Sequence, residues 1–176
     1  MNPQIKVIGV GGSGSNTVSR MAKFNIQGVE LIAANTDAQA LHFCKVSKKI
    51  LIGKNITKGL GTGMDVVLGQ KAAEESKEEI SESLKGSDMV FITCGLGGGT
   101  GSGVAPVVAE ISKNLGILTI AVVTTPFSFE GEQRKKVAEN ALQKFKEKVD
   151  SLIIISNDKL LGIINEKTTV SNAFLI

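Results

Sequence analysis

The segment Gly97-Gly98-Gly99-Thr100-Gly101-Ser102-Gly103 places five glycines in seven positions. Such a run strips side chains from backbone that something must approach closely. Upstream, Met89-Val90-Phe91-Ile92-Thr93-Cys94 is an apolar, strand-like stretch; downstream, Val104, Val107, Val108, Ile111 and Leu115 recur at helical spacing. A turn between a strand's carboxyl end and a helix start gathers N–H groups and the positive end of the helix dipole, which together bind an anion. Thr100 and Ser102 add hydroxyl donors. A second loop, Gly11-Gly12-Ser13-Gly14-Ser15-Asn16, follows strand-like Ile5–Val10 and precedes Val18, Met21 and Ala22. Gly9, Gly11 and Gly14 fit G-x-G-x-x-G in strand–turn–helix context. Read alone, that pattern suggests a dinucleotide site with Glu30 or Asp37 as the ribose acid. Two phosphate-type loops suit a nucleoside triphosphate gripped from two sides at least as well as NAD. An ordinary P-loop is excluded: Gly53-Lys54 is followed by Asn55 and lacks the upstream glycine.

The elements that must position these loops alternate along the chain. Strands are expected near 4–10, 28–35, 48–52, 87–94, 117–124 and 151–156, and helices near 13–24, 37–44, 65–85, 102–115, 131–149, 157–164 and 169–176. Ile117–Val123 and Leu152–Ile155 are apolar with little alternation, which implies burial on both faces in a mainly parallel, six-stranded sheet between helix layers. The fold class is therefore α/β, a Rossmann-like three-layer sandwich. Ligands of such sheets bind beyond the carboxyl ends of the strands, where all the glycine loops fall. Further loops reach the same edge. Asn35-Thr36-Asp37 can cap the next helix or touch a ligand. Gly59-Leu60-Gly61-Thr62-Gly63-Met64-Asp65 is a third glycine loop with Asp65 as a cap. Thr124 to Gly131 closes the fifth strand, with Glu130 and Arg134 four apart on one face. Asn157, after the sixth strand, can cap a helix or hydrogen-bond a base.

Bulk properties narrow the classes. The chain has 176 residues, 42% hydrophobic, with seven Phe and neither Trp nor Tyr, which suits one domain with an aliphatic core. A net charge of +3 with Lys135, Lys136, Lys144, Lys146 and Lys148 set among Glu139 and Glu147 reads as a solvated helix face, not a nucleic-acid footprint. No signal peptide or membrane span is visible, and Cys44 and Cys94 lack metal-type spacing, so both read as reduced thiols of a cytosolic protein. His42, the single histidine, has no partner pattern.

The loops taken together resemble the nucleotide-binding domain of the FtsZ/tubulin family, over essentially the whole chain. Besides the two glycine loops, Asn35-Thr36-Asp37-Ala38-Gln39-Ala40-Leu41, Gly59 to Gly63, Pro126 to Gly131 and Asn157-Asp158-Lys159-Leu160 carry the likeness. It implies a GTP- or GDP-binding domain of a cytoskeletal GTPase that assembles at the bacterial division site. By resemblance, Gly11, Gly12, Ser13, Gly14, Ser15 and Asn16 form the first phosphate loop. Gly98, Gly99, Thr100 and Gly101 surround the terminal phosphates. Asn35, Asp37, Gly63 and Thr124 complete the contacts. Glu130 and Arg134 form the ribose-side pair, Asn157 meets the purine edge, and Phe174 lies beside the base. Ser13 and Ser15 stand where the family often has glycine. Mg²⁺ is expected to be held through phosphates and water, with no protein ligand.

The same resemblance implies that residues 1–176 end inside a long central helix. The helical aspartate that reads guanine, the acidic loop that activates water and a C-terminal domain would then be missing. On that footing the chain binds nucleotide with little hydrolysis and exposes Val170, Ala173, Phe174 and Ile176. It caps filaments of FtsZ-type subunits through its nucleotide-bearing face without polymerising alone, and makes no direct membrane or nucleic-acid contact. Two other readings stand beside it: an NAD-dependent dehydrogenase cofactor domain, and an interaction module that binds no nucleotide.

Overall fold

Alternate residues of the central strands divide the interior into two layers. Ile8, Val10, Ile32, Ala34, Ile92 and Cys94 join one apolar cluster, while Val7, Ala33 and Phe91 join the other. The computed structural model describes residues 3–161. Its strands are β1 (Ile5–Val10), β2 (Val29–Asn35), β3 (Lys48–Leu51), β4 (Met89–Gly95), β5 (Leu118–Thr125) and β6 (Ser151–Ser156). They form one sheet, every pair parallel, in the order β3-β2-β1-β4-β5-β6. The order reverses between β1 and β4, and a crevice opens at such a switch point beyond the carboxyl ends of the strands.

The helices are α1 (Gly11–Met21), α2 (Ala38–Phe43), α3 (Lys54–Thr57), α4 (Val66–Glu75), α5 (Lys77–Leu84), α6 (Gly99–Asn114), α7 (Glu132–Lys146) and α8 (Asn157–Leu161). The larger cluster packs α4 through Ala72 and Ala73, α5 through Ile80 and Leu84, α6 through Val104, Val108 and Ile111, and α7 through Ala138, Ala141 and Phe145. The smaller one uses Val18 of α1 and Leu41 of α2. One face of β5 and β6 has no described helix over it. Val122, Thr124, Ile153 and Ile155 on that face are partly or well exposed, and on the opposite face Ile154 is exposed too. The burial on both faces expected for 117–123 and 152–155 is therefore replaced by half-burial at β5 and exposure at β6, because β6 is the edge of the sheet.

Four helical segments differ from expectation. α1 and α6 begin at Gly11 and Gly99, so the glycine loops are largely first turns of helices. The helix expected over 65–85 breaks at Ser76, whose hydroxyl accepts the Gly53 N–H at 2.8 Å and whose backbone leaves the helical region. The short α3 had no signal in the sequence. The helix expected over 169–176 lies outside the described residues.

Several glycines are consumed by backbone packing. A Cβ on Gly14 would lie 2.4 Å from the Thr93 carbonyl oxygen, and one on Gly101 would lie 2.2 Å from that of Gly95. α1 and α6 thus rest backbone-to-backbone on the central strands. A Cβ on Gly12 would meet no atom of the described residues within 4 Å. Gly14→Ala is therefore expected to cost roughly 1–3 kcal/mol of stability, and Gly12→Ala less than about 0.5 kcal/mol. Thermal melts followed by circular dichroism check this; equal melting temperatures would contradict backbone contact at Gly14.

Candidate functional site

Helices normally satisfy their first N–H groups with a capping side chain. α2 does so with the Asp37 carboxylate, which accepts from Ala40 N at 2.9 Å, and α4 does so with Asp65, which accepts from Leu68 N at 2.9 Å. Among the described residues, α1 and α6 have no side-chain cap, and neither do α3, α5 and α7; α1 and α6 stand apart because their first turns line one cavity. Their amino ends converge on the switch point, with Gly11 (φ +72°) and Gly97 (φ +102°) making turns that glycine permits.

Between them lies a cavity of about 680 Å³, within the range of small-molecule sites. Of the residues expected in a site, Gly11, Gly12, Ser13, Gly98, Gly99, Thr100, Gly101, Thr124, Glu130, Arg134 and Asn157 line it. Gly98, like Gly12, points its missing Cβ into open space. The other expected residues take different places. Gly14 and Ser15 are on the buried face of α1, and Asn16 and Gly63 are exposed outside the cavity lining. Asn35 is buried; its Oδ1 accepts from Thr36 N at 2.9 Å, shaping the turn after β2. Ser102 turns inward and accepts from Gly97 N at 2.9 Å, so its hydroxyl serves the loop rather than the cavity. Phe174 lies outside the described residues.

The sugar acid proposed for a dinucleotide finds no support in the geometry. Glu30 sits near the amino end of β2, paired with Lys6 at 3.3 Å and Lys48 at 3.2 Å. Burial disfavours its ionised form, yet the two lysines outweigh that and hold its pKa below the usual carboxylate range. Asp37 is occupied in capping α2.

At the cavity's far end, Glu130 is bonded to the Arg134 guanidinium at 2.8 Å and accepts from Phe127 N at 3.0 Å. Asn157 is 9% exposed, and among the described residues its Oδ1 has no hydrogen-bond partner. A buried amide oxygen without a donor is costly, and a ligand donor would relieve it. The Ser15 hydroxyl is likewise buried and unpartnered, but it lies outside the cavity lining. Burial pushes the Cys94 thiol up to about 12, which leaves it inert beneath the loop.

Sequence reasoning missed a wall of the cavity: Thr17, Arg20, Met21 and Phe24, together with Thr62, Val122, Pro126, Phe127 and Ile155. The first four were findable. Ser13, Thr17, Arg20 and Phe24 recur at intervals of four, three and four, one helix face continuing the first glycine loop.

This sheet order, with two helix amino ends over a cavity at the switch point, defines a doubly wound α/β domain. The profile of the Tubulin/FtsZ family, GTPase domain, matches residues 4–165, and the chain belongs to that family. It is 57% identical over 173 residues to the cell division protein FtsZ of Buchnera aphidicola from Acyrthosiphon pisum, covering 98% of this chain and 45% of that protein. It is 55% identical, with the same coverage, to FtsZ of the Buchnera from Schizaphis graminum. Among solved structures, an empty FtsZ dimer from M. jannaschii superposes with a TM-score of 0.94 at 51% identity, covering 99% of this chain and 51% of that one. CetZ2 from Haloferax volcanii, described as a GTPγS-bound protofilament, superposes at 0.87 with 27% identity, covering 97% and 53%. The chain spans about half the length of these relatives. The family match supports the GTPase-domain reading and not the dehydrogenase one.

The Asp158 carboxylate clamps the loop after β5, accepting from the Ser128 hydroxyl at 2.6 Å and from Ser128 N at 2.9 Å. Those bonds, the hydroxyl one first, lower its pKa. A carboxyl with a lowered folded-state pKa keeps its tie above the ordinary carboxylate range and loses it as pH falls through the lowered value. Asp158→Ala should therefore speed amide exchange at Ser128 at neutral pH, whereas the unsubstituted chain loses protection there only in acid. Unchanged protection in the variant would mean other contacts hold the loop.

Proposed function

We propose that the chain binds GTP or GDP in this cavity. The carrying observation is the pair of uncapped helix ends, α1 and α6, aimed at one cavity where Gly12 and Gly98 leave room for phosphate oxygens. Gly11 to Asn16 would form the first phosphate loop and Gly98 to Gly101 the second, with Gly63, Thr124, Asn35 and Asp37 near or beneath them. Glu130 and Arg134 lie one turn apart, a pair suited to the ribose hydroxyls. The Asn157 amide, orphaned on the acceptor side, would take a hydrogen bond from the purine edge, and Phe174 would lie beside the base. The cavity fits in character: glycine backbone and hydroxyls at one end, Met21, Phe24, Val122 and Ile155 at the other.

Mg²⁺ would be held through phosphates and water. Among the described residues no cluster of three His, Cys, Asp or Glu side chains forms a metal site. Glu130 is the only carboxylate among the described lining residues, and its bonds to Arg134 and Phe127 N occupy it. The chain alone is therefore proposed to bind nucleotide with little hydrolysis. The remaining proposals rest on the relatives' names: assembly with FtsZ-type subunits through the nucleotide-bearing face, GTP hydrolysis by the assembled protein, and a cytoplasmic place at the division site. Among the described residues no helix is long and apolar enough to cross a membrane.

Titration with fluorescent GTP and GDP, competed by unlabelled GTP, ATP and NAD, tests the reading. Competition by GTP ahead of NAD is expected. Gly98→Val should weaken binding at least tenfold while leaving the fold intact, because its side chain fills the phosphate space. Asn157→Leu should cut the preference for GTP over ATP by roughly 5- to 10-fold, the worth of one hydrogen bond of about 1–1.5 kcal/mol. Competition by NAD in preference to GTP, or no binding of either, would contradict the proposal.

A further inference from the structure

Three threonine hydroxyls from three different loops meet at the cavity. Thr36, after β2, and Thr100, in the first turn of α6, lie 2.7 Å apart at their Oγ1 atoms. Thr62, from the third glycine loop, lies 3.2 Å from Thr100 Oγ1. Thr62 and Thr100 line the cavity; Thr36 does not, and it is fully buried.

A hydroxyl carries one proton and can accept two more hydrogen bonds. Among the described residues, Thr36 Oγ1 has Thr100 as its sole partner. Were Thr36 the acceptor, its own proton would be buried without an acceptor, the costly arrangement for a polar group. Thr36 is thus the donor and Thr100 the acceptor in that contact. The single Thr100 proton must then point away from Thr36, toward Thr62 or toward an oxygen in the cavity. The Thr62 contact is the longer and weaker of the two. An anionic oxygen is a stronger acceptor than a threonine hydroxyl. It would take the proton, and Thr62 would turn round to donate.

We infer that Thr36 is a positioning residue. By donating to Thr100 it aims the Thr100 hydroxyl at the nucleotide phosphates, and Thr62 is the acceptor that the phosphate displaces. The inference rests on the proposed nucleotide reading of the cavity. The backbone of Thr36 holds the same region together. Its carbonyl accepts from Gly61 N at 3.1 Å and from the Thr57 hydroxyl at 3.3 Å, and its N–H donates to Asn35 Oδ1. The exchange at Thr62 therefore reports phosphate occupancy to the third glycine loop, which contains Gly61, Gly63 and Met64, all at positive φ.

The test measures GTP and GDP affinity in single and paired variants. Thr36→Val keeps the shape and removes the hydroxyl; binding should weaken about three- to tenfold. Thr36→Ser restores the hydroxyl and should stay within twofold of the unsubstituted chain. In a Thr100→Val background, Thr36→Val should bring no further loss, because Thr36 acts through Thr100. Equal loss with Ser and Val, no loss with Val, or fully additive losses would overturn the inference while leaving nucleotide binding intact. Absence of binding by the unsubstituted chain would overturn the nucleotide reading and this inference with it. A measurement without substitution guards against misfolding of the variants. The Thr36 hydroxyl proton should exchange slowly in the nuclear magnetic resonance spectrum of the free chain, and rapid exchange would contradict its role as a buried donor.

Discussion

Two helices sit on the central strands with backbone against backbone, and the geometry of the cavity depends on it. Where a Cβ on Gly14 would strike the Thr93 carbonyl, and one on Gly101 that of Gly95, only glycine lets the first turn descend to the sheet. That descent brings the amino ends of α1 and α6 to the same crevice, between the strands where the order reverses. Had either helix been held off by a methyl group, its unpaired N–H groups would point past the cavity. The glycines that touch protein and the glycines that face open space, Gly12 and Gly98, thus do different jobs in the same short motifs. The former place the donors; the latter keep the approach clear.

Around this centre, polar groups are divided by whether the fold satisfies them. Asp37 and Asp65 cap their helices, Ser102 closes its own loop, and Asp158 clamps the turn after β5. Each has a local partner, so none is available to a ligand without breaking something. At the cavity, by contrast, the first turns of two helices have no side-chain cap and the Asn157 oxygen has no partner among the described residues. A ligand offering several anionic oxygens at one end and hydrogen-bond donors at the other matches that distribution. The pairing of Glu130 with Arg134 removes the only carboxylate among the described lining residues from work as a base.

Much of this was legible in the sequence because glycine spacing and apolar runs are local signals. All six strands fall within a residue or two of their expected limits, and both anion loops lie where the strand–glycine–helix order puts them. The failures were tertiary. Gly97 to Gly103 reads as a loop by composition, yet most of it is helix, because packing against β4 and α4 supplies what the propensity of glycine withholds. The break at Ser76 depends on the Gly53 N–H, distant in sequence and invisible to periodicity. The apolar β6 looked doubly buried, but apolarity does not say whether a strand is central or at the edge. In the site, Asn35 and Asp37 carried the right residue types for ligand contact, but their side chains serve their own turn. The cavity wall from Thr17 on α1 to Phe24 in the turn after it lies at helical spacing in the sequence, but glycine spacing marks only the first turn of that helix.

The central claim is that the first-turn amides of α1 and α6 together receive the phosphates of one nucleotide. The most direct measurement is a ¹⁵N-resolved nuclear magnetic resonance titration of the chain with GDP and Mg²⁺. The account predicts that the amides of Gly12, Ser13, Gly98, Gly99 and Thr100 shift together, on a single binding isotherm. If those amides stay still while another surface responds, such as the groove between α5 and α6 near Lys77 and Asn114, the account is wrong.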